Sequence, residues 1–311
     1  MALAIELSAV VVTVKDSEAF VLCRNLPRTQ GSPESAPNPA YALPSGPFIP
    51  KSQRTFDLAL RAFVRDQTGF DIGYVEQLYS FGDVGRETVL AGTSASDHII
   101  SVGYLALTAN RDFQAQLDAS WVPFHRFFPW EDWRDDGNTP LQKLRPALDA
   151  WCREDDEELR RRRVDTLFPE DFDNWNEERV LDRYELLYSA SLISEAQGQK
   201  AGGVGEPMAS DHRRIAATGL SRLRGKLKYR PVIFELMPEC FTLLELQRSL
   251  EALSGIRLHK QNFRRALERT GFVTPLGVMR EDTGGRPAEL YRYNREQFRF
   301  SPSLGLSMPR A

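Results

Sequence analysis

The chain has 311 residues, about two domains at the usual ~150 residues each, and can bury full cores without disulfide or metal staples. With 27% charged and 41% hydrophobic residues it excludes wholesale disorder, and its longest uncharged apolar-rich stretch, Ile99 to Asn110, is 12 residues, short of the ~18 a membrane helix needs. The net charge of −3 conceals an asymmetry: residues 1–208 hold 21 Lys+Arg against 33 Asp+Glu, and residues 209–311 hold 19 against 10.

In chain order, residues 5–14 and 19–23 are β-branched and apolar, which predicts a hairpin around Lys15 to Glu18. No basic n-region or long apolar run precedes them, so no secretory signal is expected. Residues 25–47 carry six prolines and read as a loop. Over residues 54–68, Phe56, Leu60, Phe63 and Val64 share one face of a helix that Gly69 stops. Strands follow at 72–81 and 98–108, and the aromatic run 121–134 closes a first domain. Residues 139–197 read as helical: Leu141, Leu144 and Leu148 recur at helical spacing, Arg153 to Arg163 is a solvated mixed-charge face, and Arg179 to Ala196 is amphipathic. Gly198 to Pro207 is a flexible linker by composition and coincides with the change in charge. Cys23, Cys152 and Cys240 lie far apart, which excludes a CxxC motif or a disulfide scaffold and fits a reducing, cytoplasmic location. His98, His125, His212 and His259 have no ligand spacing, and no metal is assigned.

The C-terminal third carries the clearest pattern. Ser210 is a candidate cap for a helix running to about Lys228, with Ile215, Leu220, Leu223 and Leu227 inward and Arg213, Arg222, Arg224 and Lys226 elsewhere on it. Thr242 and Glu245 have capping-box spacing and open a second helix that Gly255 stops. A third begins at His259 or Lys260 and ends before Gly271. Two strands, Phe272 to Met279 and Glu289 to Tyr293, flank a polar turn. Helix–helix–helix–strand–turn–strand with a basic third helix is the order of a winged helix-turn-helix. Lys260, Gln261, Asn262, Arg264 and Arg265 on that helix are of the types that reach base edges in a major groove. Arg286 in the turn is placed to meet phosphates or a minor groove. A basic third on an acidic body suits double-stranded DNA as partner, although a basic surface without a partner has the same composition.

Residues 43–46 (LPSG) and 60–70 (LRAFVRDQTGF) resemble the loop–helix–loop of the Nudix family, whose box reads G-x5-E-x7-REUxEExGU and whose glutamates hold Mg²⁺ against a diphosphate. Aligned on Gly69, the box arginine falls on Ala62, its first glutamate on Phe63 and its paired glutamates on Asp66 and Gln67, and the earlier glutamate falls on Arg54. A magnesium-dependent hydrolase is therefore not expected unless Asp57, Asp83 or Glu87 substitute. The whole chain resembles the Nudix-related transcriptional regulators of NAD metabolism, the NrtR family, through this degenerate box, through residues 79–86 with the strand at 99–107, and most specifically through residues 226–232, 241–247, 262–265 and 285–293. The lost box and the helices at 139–197 are closer to the NadQ-type regulators of alphaproteobacteria.

That resemblance implies an α+β protein in three parts: a Nudix-like α/β/α sandwich at 1–138, a helical connector with a Gly-rich linker at 139–208, and a winged helix-turn-helix at 209–311. It implies a homodimeric repressor of NAD biosynthesis or salvage genes, not an enzyme. No cofactor is required, and the Nudix-like domain senses a nucleotide effector, NAD, ATP or ADP-ribose. Arg24, Arg61, Arg65 and Arg86 are candidates for its phosphates, and Phe48, Tyr79 or Phe81 for stacking on its base. Each has a plainer reading: Arg61 and Arg65 as exposed helix residues, Phe81 as core. Two other functions compete. One is a magnesium-dependent Nudix hydrolase of ADP-ribose or a related dinucleotide with an accessory winged helix. The other is a non-catalytic scaffold whose winged helix docks protein.

Overall fold

A computed structural model describes residues 3–27, 40–83, 98–109, 118–134, 139–196, 203–281 and 287–296. The first segment forms the expected hairpin, β1 (Leu3–Lys15) and β2 (Glu18–Asn25), in register from Val12 opposite Val21 to Lys15 opposite Glu18. β3 (Tyr41–Ala42) and β4 (Ser45–Pro47) follow, then α1 (Phe56–Thr68), β5 (Tyr74–Phe81), β6 (His98–Leu107) and β7 (Ala119–Pro123). The sheet order is β3-β2-β1-β6-β5, with β4 added to β1 and β7 to β2. β1 and β6 run parallel, Leu3 beside His98 through Val12 beside Leu107, and the other pairs are antiparallel.

β1 is buried along most of its length because both its faces are covered. Side chains alternate across a strand. Leu7, Ala9 and Val11 therefore enter one core with Leu60 and Val64 of α1, and Val10, Val12 and Val14 enter another on the opposite face. Thr55 caps α1, its hydroxyl accepting from the Leu58 amide, and Gly69 ends it at φ 75°.

The second face is covered by α6 (His212–Tyr229). Gly219 permits this approach, since a Cβ there would stand 2.9 Å from Val10 Cγ1. The helix read from sequence as the first of the DNA-binding module is thus also the second helical layer of the sandwich. It begins one residue later than expected: Asp211 is the N-cap, without a side-chain cap bond, and Ser210 sits in the left-handed region at φ 55°. Between sheet and α6 the chain forms α2 (Phe124–Phe127), a 3-10 turn over Pro129–Glu131, α3 (Thr139–Cys152), α4 (Glu157–Leu167) and α5 (Val180–Ser189). α5 is shorter than the helix expected to Ala196. Ser191 adopts φ 53°, and the chain turns back, which brings Glu195 to Arg213.

Residues 203–207, part of the expected flexible linker, are held in place. The Val204 amide donates to the Leu192 carbonyl at 3.0 Å and the Glu206 amide to the Arg126 carbonyl at 2.8 Å. After a 3-10 turn at Val232–Leu236, the chain ends in β8 (Phe241–Thr242), α7 (Leu243–Ser254), α8 (Lys260–Thr270), β9 (Val273–Arg280) and β10 (Ala288–Tyr293), with sheet order β8-β10-β9. This is a winged helix. It shares one apolar cluster with the α6 face of the sandwich, running from Val10 to Phe272. Among the described residues no helix is long and apolar enough to cross a membrane.

Candidate functional site

The basic helix is presented by a short chain of local causes. The capping box forms in full: Thr242 Oγ1 accepts from the Glu245 amide at 3.2 Å, and the Glu245 carboxylate accepts from the Thr242 amide at 2.7 Å. Gly255, at φ 72°, ends α7. The turn into α8 is held from α7, with Glu251 accepting from the Leu258 amide at 2.9 Å and Gln247 donating to the Leu258 carbonyl at 3.0 Å. On α8, Phe263, Ala266, Leu267 and Thr270 point into the core. Lys260, Gln261, Asn262, Arg264 and Arg265 are all exposed, as is Arg269. Such a face can lie in a major groove and place amide and guanidinium donors at base edges. Arg280 of β9 donates to Glu245 at 2.7 Å and ties the wing strand to α7. Arg286, expected on the wing, lies outside the described residues.

The remnant of the box has a different chemistry. Phe63, where the first glutamate would stand, lies against Gly46: a Cβ on Gly46 would be 2.7 Å from the ring. Gln67, at a paired-glutamate position, accepts from the Ser45 amide at 3.1 Å and donates to the Ser45 carbonyl at 2.6 Å. Apolar packing and amide hydrogen bonds thus join β4 to α1 where carboxylates would gather a cation. Asp66 is exposed. Asp57 pairs with Arg61 at 2.5 Å and Asp83 with Arg214 at 2.6 Å, so neither is placed to complete a cluster. Glu87 lies outside the described residues.

The expected effector residues are not brought together. Arg61 clamps the loop after α1, donating to the carbonyls of Ile72 at 2.5 Å and Gly73 at 3.1 Å, and Arg65 pairs with Asp71 at 2.8 Å. Phe48 packs edge-on against Phe56, centroids 4.5 Å apart. Arg24 is half-buried on β2, opposite Ala42 and Ala119. Phe81 is buried in the other core, on the α6 side. Arg86 lies outside the described residues. Position along the sequence had grouped residues that the sheet separates onto its two faces.

The charge asymmetry has a second origin besides a partner. Arg213, Arg224 and Lys226 of α6 are buried, contrary to the sequence reading that set them apart from the apolar side. Arg213 bonds Glu195 at 3.1 Å and the Phe127 carbonyl at 3.0 Å. Lys226 meets Glu76 and the Tyr74 hydroxyl, the latter at 2.9 Å. Burial works against the Glu76 carboxylate, but hydrogen bonds from Lys226 and Tyr74 outweigh it and hold its pKa below the ordinary value. Arg214 bonds Glu185 and Asp83, and Lys228 bonds Glu177 and Glu178. The acidic body thus neutralises much of this helix from within, whereas Lys260, Arg264, Arg265 and Arg269 of α8 face solvent.

A buried Arg–Glu–Arg group joins all parts of the molecule. Glu131, at the end of the sandwich, accepts from Arg183 of α5 at 2.6 and 2.9 Å and from Arg224 of α6 at 2.5 Å. Arg224 also donates to the Leu253 carbonyl of α7 at 2.8 Å, and Arg183 lies 3.8 Å over the Trp175 ring. Burial lowers the Arg224 pKa against the pull of Glu131. Beside it the Trp133 amide donates to the Gly255 carbonyl at 2.7 Å. An added Cβ on Gly255 would fall on the Glu131 carbonyl oxygen. Sequence reading missed this joint because no spacing rule links positions 131, 183 and 224.

Among the described residues Glu18, His125 and Asp132 could bring ligand atoms within 4.8 Å of one another. Arg134 lies between the two carboxylates, 2.6 Å from Asp132 and 3.3 Å from Glu18, so the group is balanced as an ion-pair network.

Comparison with known proteins follows this geometry. Residues 233–293 match the family described as the NrtR DNA-binding winged helix domain. The ADPR responsive transcriptional repressor NtrR of Acinetobacter baylyi is 35% identical over 103 residues, which are 33% of this chain and 41% of that repressor. The chain therefore spans about two fifths of that curated relative. The crystal structure of Shewanella oneidensis NrtR complexed with a 27mer DNA superposes with a TM-score of 0.54 at 20% identity, covering 94% of each chain. A MutT/nudix family protein from Enterococcus faecalis superposes at 0.52 and 15% identity, covering 94% of this chain and 87% of that one. At these identities the two structures show a shared fold, a Nudix-like sandwich followed by a winged helix.

Proposed function

We propose, on the premise that residues 233–293 are an NrtR-type DNA-binding winged helix domain, that the chain is a nucleotide-responsive transcriptional regulator, a repressor of NAD biosynthesis or salvage genes. The observation that carries this reading is the outward face of α8, where Lys260, Gln261, Asn262, Arg264 and Arg265 are exposed together over a buried Phe263 and Leu267. The sandwich at 1–138 is the sensor, residues 139–208 the connector, and residues 209–311 the DNA-binding part, whose first helix also serves the sensor. The name of the Acinetobacter relative puts ADP-ribose first among the effectors, ahead of NAD and ATP. Phe63 and Gln67 at metal-ligand positions favour binding without hydrolysis, and no cofactor is needed. Two copies of α8 one DNA turn apart, ~34–36 Å, would read a palindrome, so the working unit is a homodimer acting in the cytoplasm. The kinship with NadQ-type regulators rests on the lost box and the helices at 139–197.

Fluorescence anisotropy with DNA from upstream of the host's NAD genes, at fixed salt, tests the reading. Sequence-selective binding that ADP-ribose, NAD or ATP alters is the expected result. Lys260→Ala and Arg264→Ala each weaken it by ~1–3 kcal/mol where the contact is to a base. Absence of DNA binding, or magnesium-dependent release of AMP from ADP-ribose, would overturn it.

A further inference from the structure

The remnant of the box lies on the α1 side of the sheet, and α6, shared with the winged module, covers the opposite side. A signal from one to the other has to pass the sheet. Residues 41–46 make that passage. Leu43 is buried in the α6-side core, and three residues on, Gly46 lies beneath the Phe63 ring of α1, where an added Cβ would be 2.7 Å from it. Ser45 is bonded to Gln67 of α1 through both its amide and its carbonyl. The segment is held between these ends. Ala42, Leu43 and Ser45 are buried, the Pro44 carbonyl accepts from the Ala9 amide at 2.9 Å, and Ser45 and Gly46 pair with Ser8 and Leu7 of β1.

The other end of the segment sets where α6 begins. Asp211, the N-cap, makes no side-chain cap bond. The start of the helix is instead tied to residues 41–43: the Ala209 amide donates to the Tyr41 carbonyl at 2.9 Å, Tyr41 bridges to Met208, and the Leu43 amide donates to Nδ1 of His212 at 2.9 Å. His212 is the first residue of α6 and is 0% exposed. With Nδ1 accepting, a neutral imidazole carries its proton on Nε2, which lies 4.0 Å from the buried Glu6 carboxylate of β1. The ring is thus lodged between the sheet and the segment. Two residues earlier Ser210 stands at φ 55°, a conformation that a residue with a Cβ holds only where its surroundings impose it. From His212 the helix runs for 18 residues, about 27 Å, and toward its far end Arg224 bonds the Leu253 carbonyl of α7.

We propose that residues 41–46 are the relay between the sensor and the DNA-binding module, with His212 the positioning residue that receives their movement at the start of α6. The inference rests on the nucleotide-sensing reading above, with the nucleotide on the box side of the sheet. The residues at the box positions give the relay its grip: Phe63 packs on Gly46 and Gln67 exchanges two hydrogen bonds with Ser45, so a ligand that resets α1 carries the segment with it. The Leu43 amide moves with the segment and hands the displacement to His212. α6, bonded along its own backbone, then shifts as a rod, and its contact with α7 shifts too. Coupling of this kind needs packed elements with discrete settings. The ligand changes DNA binding by as much as it prefers one setting over the other.

The test measures DNA affinity of the full chain by anisotropy at fixed salt, with and without saturating ADP-ribose, NAD or ATP, in the parent, His212→Leu and His212→Asn. Leucine fills much of the space but offers the Leu43 amide no acceptor. The asparagine side-chain oxygen stands as many bonds from the backbone as Nδ1 does and keeps that acceptor. Allosteric factors are typically ~5–150-fold. His212→Leu should still bind DNA and nucleotide separately, but the nucleotide that acts on the parent should change its DNA affinity by less than about twofold. His212→Asn should keep a factor within about twofold of the parent's. A merely structural role would lower the stability of both variants without separating their responses. Hydrogen exchange on the unaltered protein gives a reading independent of mutation and decides alone if His212→Leu does not fold: the same nucleotide should change exchange of the Leu43 amide and of residues 212–216 by about threefold or more. If the parent responds and His212→Leu responds equally, or exchange at 212–216 is unchanged, the relay is wrong although the chain still senses nucleotide. If the parent's DNA affinity answers to none of the three nucleotides, this inference and the sensing reading fall together.

Discussion

Replacing Glu131 by Gln removes the negative side chain that bonds two buried guanidiniums, those of Arg183 and Arg224. Glu131 is 3% exposed, Arg183 0% and Arg224 2%. The carboxylate accepts three hydrogen bonds from them. The amide keeps the shape, but one of its two atoms donates and so faces a guanidinium with the wrong sign. Breaking a buried ion pair from one side costs about 3–5 kcal/mol, because the partner charge stays buried and unpaired. With an unfolding entropy of about 2.1 cal/mol/K per residue, a chain of 311 residues loses roughly 5–8 °C in Tm. Urea unfolding followed by far-UV circular dichroism and by tryptophan fluorescence checks it, since Trp130 and Trp175 are buried near the joint. The triple change Glu131→Met, Arg183→Met, Arg224→Met should recover most of the loss, as an apolar replacement of similar volume removes the unpaired charges with their partner. A Glu131→Gln protein within about 1 kcal/mol of the parent would refute the claim that this joint is desolvated and holds sandwich, connector and winged helix together.

Gln67→Glu, which moves the box back toward its metal-binding form, should destabilise the chain by ~1–3 kcal/mol, because a carboxylate cannot donate to the Ser45 carbonyl that the amide now reaches at 2.6 Å; thermal unfolding with and without magnesium reads this out, and stabilisation would contradict it. Gly255→Ala should cost more than the ~1–2 kcal/mol of a left-handed alanine, since the residue sits at φ 72° against the Glu131 carbonyl; a Tm equal to the parent's would show that the α7–sandwich contact is loose. The hydrogen bond to Glu18 raises the His125 pKa against burial. The pair's contribution is then complete below about pH 6.5, the unfolded histidine value, and is lost as pH rises through the higher folded value. His125 is 44% exposed, so the loss is at most ~1 kcal/mol, and His125→Gln should flatten the Tm profile between about pH 6 and 8.

What the sequence determined by itself is local. Alternating apolar residues in β1 and β2, the capping box at Thr242 and Glu245, the glycine stops at 69, 255 and 271, and the inward stripe of Phe263 and Leu267 all report contacts within a few positions of one another. The departure of Phe63 from a metal-ligand residue type was legible too, because a phenylalanine cannot ligate magnesium whatever surrounds it. The tertiary structure decided which side of the sheet each candidate faces, and so divided Phe81 from Phe48, Arg61 and Arg65. It also decided which cations remain free. A linear count of charge cannot tell Arg224, bonded to Glu131 from 93 positions away, from Arg264, exposed on α8. Desolvation and pairing are properties of neighbours in space, and for α6 those neighbours lie in the sandwich and the connector, far from it along the chain.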